Sequence, residues 1–349
     1  MHRHIKNLLA QRPAVGLLPL DGDVRNLHSE TGARIAAPAP VHVRQKFRSI
    51  LVPVDGTPFG EHAIPVALGI AERAGAEVTL VHIHAPLQFE SHANRLYPDG
   101  VVDEWLLRER RDCLNGLLRR TASSTSVRVR AMLVDGPEIA ESLCRAAALA
   151  RADLVVMATH GRGPLGRLWF GSVADAMMQR LPTPVLFVRG SDAPATLTKA
   201  SAFRHVLIPL DGSKRAEEVV PTALALGQLS DALHTLIRIV PLEVDCSLHY
   251  APLARPLPQP KREAEASKYI GDVMSRLQMD PARVRARTVF DDRPMAEAIL
   301  QYARRREADL IALATRGRGS LSRLFQQSVV DRVVRNATVP ILVHRSTGG

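Results

Sequence analysis

Short, wholly apolar runs alternate along this chain with longer segments of helical period. Ile50 to Val54, Leu154 to Met157 and Val185 to Val188 are each four or five residues long and unbroken, the pattern of strands buried on both faces of a parallel sheet. Glu77 to Ala85 reads as a further strand. Ser126 to Val134 alternates before turning apolar, as a strand nearer a sheet edge does. Between these runs the spacing predicts helices over Gly60 to Ala74, Val102 to Arg120, Glu138 to Ala150 and Gly171 to Arg180. Gly75 caps the first of them, and Pro182 and Pro184 end the last. The order is βαβαβαβαβ, which predicts an open parallel sheet covered by helices through right-handed crossovers.

The pattern then starts again. Strands are expected at His205 to Leu210, Leu233 to Val240 and Val284 to Phe290, with helices over Lys214 to Gln228, Arg262 to Leu277 and Met295 to Arg306. The stretch ADLIALATRGRGSLSRLFQQSVVDRVVRNATVPILVH, Ala308 to His344, repeats DLVVMATHGRGPLGRLWFGSVADAMMQRLPTPVLFV, Asp153 to Val188. Asp55 and Asp211, His82 and Arg238, Gly161 and Gly317, Ser172 and Ser328, and Pro184 and Pro340 all lie 156 positions apart. So long a period means duplicated domains, not a solenoid of short units. The expected fold class is α/β: two tandem open five-stranded parallel sheets flanked by helices, Rossmann-like. The first domain spans 47–190 and the second 203–346. Residues 191–202 are small and polar enough for a linker, and 1–46, which lack periodicity, read as a basic, poorly ordered extension.

A length of 349 residues suits two domains, and 46% hydrophobic with 23% charged residues is ordinary for a globular protein. No run approaches the roughly 18 apolar residues that span a bilayer, and the basic start lacks the apolar core of a secretory signal. The net charge of +11 raises nucleic-acid binding, but the arginines are scattered and only 4% of residues are aromatic, leaving little for base stacking. Cys113, Cys144 and Cys246 are odd in number, far apart and form no C-x-x-C, which fits a reducing cytoplasm. His2 with His4, and His82 with His84 on one face of a strand, are the metal-like pairs. Neither has a third ligand close in sequence.

The chemistry concentrates in the segment that follows Leu154 to Met157. A strand feeding a loop with Gly161, Gly163 and Gly166, and then a helix opening at Gly171-Ser172, is the geometry that cradles phosphates. Glycines admit close backbone approach, and the free N–H groups and dipole of the helix start favour anions. The alternative is a tight turn without a ligand; the second copy of the pattern favours the functional reading.

Taken together, ILVPVDGT, LVHIHAP, VDGPE and MATHGRGPLGRLWFGSVAD resemble the universal stress protein family, over residues 48 to 189 and, with more departures, 203 to 345. The family's phosphate motif is G-x2-G-x9-G-[S/T]; here Ala158 stands at its first glycine, followed by Gly161 and Gly171-Ser172. The resemblance implies an adenine-nucleotide alpha hydrolase-like fold and, in one subclass, ATP bound at the strand ends. Carried over, Pro53, Val54 and Asp55 flank adenine and ribose, with Asp55 accepting from ribose hydroxyls. Ile83 contacts adenine, and Met157 and Ala158 lie below the base. Gly161, Arg162, Gly163, Gly171, Ser172 and Val173 surround the phosphates, and Ser172 is also an N-cap candidate. Mg²⁺ rides on the phosphates, with no ligating protein side chain. The second set is Pro209, Asp211, Ile239, Ala314, Gly317, Ser328 and Val329. There Gln327 replaces the glycine equivalent to Gly171, and weak or absent binding is expected.

No G-x-x-x-x-G-K-[S/T], kinase signature, S-G-G-x-D-S or H-I-G-H motif is present. The resemblance implies an ATP-binding stress-response regulator acting on an unidentified protein partner. A scaffold with vestigial sites, and slow ATP hydrolysis or autophosphorylation, stay open. Family members pair through their last strands, so Val185 to Val188 and Ile341 to His344 are expected to pair within the chain, with a dimer of whole chains also open.

Overall fold

The computed structural model describes residues 47–86, 101–159, 172–191, 193–200, 202–242, 260–277, 281–316 and 328–346. The N-terminal extension, Gly161, Arg162, Gly163, Gly171 and Gly317 lie outside the described residues. The first half runs β1 (Ser49–Pro53), α1 (Pro58–Glu61), α2 (Ala63–Ala74), β2 (Glu77–His84), α3 (Val101–Ala122), β3 (Val129–Asp135), α4 (Ile139–Leu149), β4 (Leu154–Thr159), α5 (Ser172–Arg180) and β5 (Val185–Arg189). The second half repeats it as β6 (His205–Leu210), α6 (Lys214–Glu217), α7 (Val220–Gln228), β7 (Leu233–Pro241), α8 (Pro260–Arg276), β8 (Val284–Asp291), α9 (Met295–Arg305), β9 (Leu310–Arg316), α10 (Val329–Asn336) and β10 (Ile341–Ser346).

The strands form a single ten-stranded sheet in the order β3-β2-β1-β4-β5-β10-β9-β6-β7-β8. Each half is parallel throughout, and the halves meet where β5 runs antiparallel to β10, with Leu186 opposite Leu342. This is the pairing of last strands expected from the sequence, and it joins the two five-stranded halves by covering the two edges that separate sheets would leave unpaired. The junction is reciprocal. Arg189 Nη1 donates to the carbonyl of Ala337 at the end of α10, and Arg345 Nη1 donates to that of Arg180 at the end of α5, at 3.2 and 2.6 Å. Each places a cation at the negative end of the other half's helix.

One apolar layer, containing Leu68, Leu80, Leu224 and Leu236, lies under α2, α3, α7 and α8. The other, containing Leu143, Met177, Ile299 and Val333, lies under α4, α5, α9 and α10. Both run through the two halves, so each face of the sheet has a continuous core. The segment after β5 is docked, not free: Ala200 N donates to Pro65 O at 2.9 Å, and Ser124 Oγ donates to Leu197 O at 2.9 Å.

The helices expected over Gly60 to Ala74 and Lys214 to Gln228 are each two helices. Pro65 and Pro221 fall in the first turn of α2 and α7. Proline lacks the N–H that would bond back into the preceding turn, so a helix restarts there more readily than it runs through.

Local devices recur at the same spacing. Asp153 Oδ2 accepts from the N–H groups of Arg48 and Ser49, and Asp309 accepts from those of Arg204 and His205, tying each half's first strand to its fourth. Arg120 pairs with Glu61 at 2.7 Å and Arg276 with Glu217 at 2.8 Å.

Candidate functional site

β1 ends in a turn that fixes a carboxylate. Asp55 Oδ1 accepts from Thr57 N at 2.9 Å and Thr57 Oγ1 at 2.6 Å, while Thr57 Oγ1 caps α1 by accepting from Gly60 N. Gly56, at φ 81°, makes the turn. Both turn bonds fall on Oδ1, so the second oxygen is not engaged by the turn. A Cβ on Gly60 would sit 2.6 Å from Asp55 Oδ1, so a larger residue there requires the carboxylate to shift.

The carboxyl ends of β1, β2 and β4, with parts of α1, α3, α4 and α5, enclose a cleft of about 470 Å³. Its two sides differ because β2 alternates. Val81 and Ile83 turn toward the α4 side and join Leu143, Met157 and Val173 in the apolar layer there. His82 and His84 take the other side, with Asp55 and Arg110. His82 Nδ1 donates to Val54 O at 2.9 Å, which leaves Nε2 as an acceptor. Burial lowers the His82 pKa, keeping the ring neutral, and the Arg110 charge lowers it further. His84 Nε2 donates to Asp103 Oδ1 at 3.1 Å. Arg110 reaches in from α3, its Nη1 3.5 Å from where a Cβ on Gly56 would lie. Val173 and Ala174 bring the positive end of α5 to the same cleft.

Of the residues singled out in the sequence, Pro53, Val54 and Asp55 from β1 and its turn, Ile83 from β2, Met157 and Ala158 from β4, and Val173 from α5 line this cleft. Ser172 opens α5. Gly161, Arg162, Gly163 and Gly171 are outside the described residues. Arg110, Phe59 and Ile139 also line the cleft and were missed. The signal for Arg110 was the helical spacing of Leu106, Arg110 and Leu114, which puts a cation on the inward stripe of α3.

In the second half Pro209 is near the end of β6, Asp211 is in the turn that follows it, Ile239 is on β7, and Ala314 is on β9. Ser328 caps α10 by accepting from Asp331 N at 3.1 Å, and Val329 is exposed. Gly317 is outside the described residues. Asp211 repeats the turn of Asp55, accepting from Ser213 N and Oγ at 2.9 and 2.6 Å. No group of three or more His, Cys, Asp or Glu among the described residues is arranged to hold a metal ion. No helix among them is long and apolar enough to cross a membrane.

An open α/β sheet with a cleft outside the carboxyl ends of its strands defines a class of ligand-binding folds, here in tandem. Within that class, the profile of the universal stress protein family matches residues 46–189 and again 202–345, and the chain belongs to that family. A universal stress protein of Thermus aquaticus is 32% identical over 147 residues, covering 41% of this chain and 99% of its own. One of Mycobacterium bovis is 27% identical over 202 residues, covering 56% of this chain and 63% of its own. One of Mycolicibacterium smegmatis is 26% identical over 306 residues, covering 85% of this chain and 96% of its own. Among solved structures, a universal stress protein of Archaeoglobus fulgidus shares the fold with a TM-score of 0.63 at 17% identity, covering 85% of this chain and 98% of its own.

Proposed function

We propose that the first-half cleft binds an adenine nucleotide, ATP with Mg²⁺ carried on its phosphates, and that the protein is a cytoplasmic, nucleotide-dependent regulator in a stress response. What carries this reading is the convergence of motif residues from β1, β2, β4 and α5 on one cleft with an apolar side and a polar side. A planar base suits the side with Ile83 and Met157, and ribose hydroxyls suit the Asp55 carboxylate. The phosphates then run toward the start of α5, where helix N–H groups favour anions. The volume falls within the few hundred to a thousand Å³ usual for small-molecule sites. Engagement of the Gly161 to Gly171 segment by the phosphates is the step that would alter a surface offered to a protein partner.

The test is titration of nucleotide-stripped protein with Mg·ATP, comparing Asp55→Ala with Thr57→Ala. Loss of hydrogen bonds to a carboxylate is worth about 1.5–3 kcal/mol, so Asp55→Ala is expected to weaken binding about ten- to hundredfold. Thr57→Ala loses the cap on α1 and the hydroxyl bond to Asp55 Oδ1 but keeps the carboxylate, and is expected to weaken binding less than Asp55→Ala does. Equal affinity in Asp55→Ala and the unmodified protein would reject this placement of the nucleotide.

A further inference from the structure

The two halves keep the same frame around the Asp–Gly turn but fill it differently. Four positions 156 residues apart have changed: Gly60 to Ala216, His82 to Arg238, Arg110 to Ala266 and Cys113 to Tyr269. The retained parts are the Asp211–Ser213 turn and the Glu217–Arg276 pair.

Each change acts on the same place. In the first half the guanidinium near the glycine comes from a helix: Arg110 Nη1 and Cys113 Sγ lie 3.5 and 3.9 Å from a Cβ position on Gly56. That leaves the strand position to His82, held back against Val54 O. In the second half Ala266 is buried and carries no charge, and the guanidinium comes from the strand itself. Nη2, Cζ and Nε of Arg238 lie 3.7, 3.8 and 3.8 Å from the Cβ position on Gly212. Three atoms at nearly one distance put the guanidinium plane flat over the glycine. Its Nη1 donates, at 3.5 Å, to the carbonyl of Ile239, the counterpart of Ile83.

Tyr269 puts a phenol ring where the first half has an exposed thiol. Its buried hydroxyl lies beside the Glu217 carboxylate without a well-formed hydrogen bond. Burial, then Glu217 and Asp211, push its pKa up, so the phenol stays neutral. Ala216 adds the methyl group that Gly60 lacks, in the seat where Asp55 Oδ1 rests. The charge of the site is conserved while its shape is not.

We infer that Arg238 and Tyr269 close the second half's counterpart of the cleft from within, and that they are the residues which make the halves unequal toward a nucleotide. This rests on the proposed site in the first half. Restoring a glycine at Gln327 is then insufficient to create a second site.

The test counts Mg·ATP sites per chain by calorimetry in four full-length proteins: unmodified, Q327G, A216G/R238H/A266R/Y269C, and the two sets combined, each checked for a cooperative unfolding transition. One site is expected in the unmodified protein and in Q327G, and two when all five substitutions are combined. Two sites in Q327G alone, or one site in the folded combined variant, would overturn the inference. No site in any of them would remove the nucleotide reading, so a ligand-free arm is included. The thiol introduced by Y269C, followed by peptide mass mapping to separate it from the native cysteines, should react with a bulky maleimide at least several-fold faster in R238H/Y269C than in Y269C. Equal rates would show that Arg238 does not cover that place.

Discussion

His234 marks the sharpest difference between the interiors of the two halves. The first half has Val78 at this strand position and Ala71 on the helix above; the second has His234 and Gly227. A Cβ on Gly227 would lie 2.7 Å from the His234 Cε1, so the helix residue has been reduced to fit the ring. His234 is fully buried, and neither ring nitrogen has a well-formed hydrogen bond, only backbone groups of Arg283, Leu224 and Ala223 nearby. Burial lowers its pKa from 6.5 to about 4. The unfolded chain therefore takes up a proton first as pH falls, and stability is lost through the window from 6.5 to about 4. A shift of that size corresponds to about 3 kcal/mol as an order of magnitude. The pair His234→Val with Gly227→Ala, which restores the first half's combination, is expected to flatten urea-derived stability between pH 6.5 and 4. It should also raise stability at pH 7 by about 1–3 kcal/mol, because buried polar atoms without partners are removed. An unchanged acid slope would show that His234 is not its source.

At the scale of elements, each half's first strand is held by one carboxylate. Asp153 and Asp309 each accept two backbone N–H groups at the start of the neighbouring strand. Asp153→Ala and Asp309→Ala are each expected to lower stability by about 1–3 kcal/mol in urea unfolding, and by similar amounts, since the contacts are duplicated. A large effect from only one would mean that the two clasps are not equivalent. The strands were legible because a parallel strand buried on both faces leaves an uninterrupted apolar run, and the edge position of β3 showed in its alternation. The breaks before α2 and α7 were not read from the sequence, because the helical period runs through Pro65 and Pro221, where the helices restart. Arg110 was legible only as an inward-facing cation of α3, from its spacing with Leu106 and Leu114, and not as a site residue. Its place depends on where α3 crosses the sheet, which local spacing does not encode. Asp55 was singled out through the family motif ILVPVDGT, and the turn it forms with Gly56 and Thr57 sets it at the cleft.

On the scale of the whole molecule, duplication has produced one sheet with two unequal halves. The joint includes two carboxylates, Asp331 buried and Asp175 half-buried, as well as apolar strands. Burial, followed by the Asp331 charge, raises the pKa of Asp175, and burial raises that of Asp331 against the pull of Arg335. The shared apolar layers on both faces hold this arrangement in place and keep the first-half cleft at the ends of fixed strands. That cleft is the central claim, and it is tested most directly by calorimetric titration of the full chain with Mg·ATP beside Ala158→Phe, which fills the cleft at the end of β4. The account predicts saturable binding at about one site per chain in the unmodified protein, and its loss in an Ala158→Phe protein that still unfolds cooperatively. Binding of equal strength in both proteins, or none in the unmodified one, would contradict it.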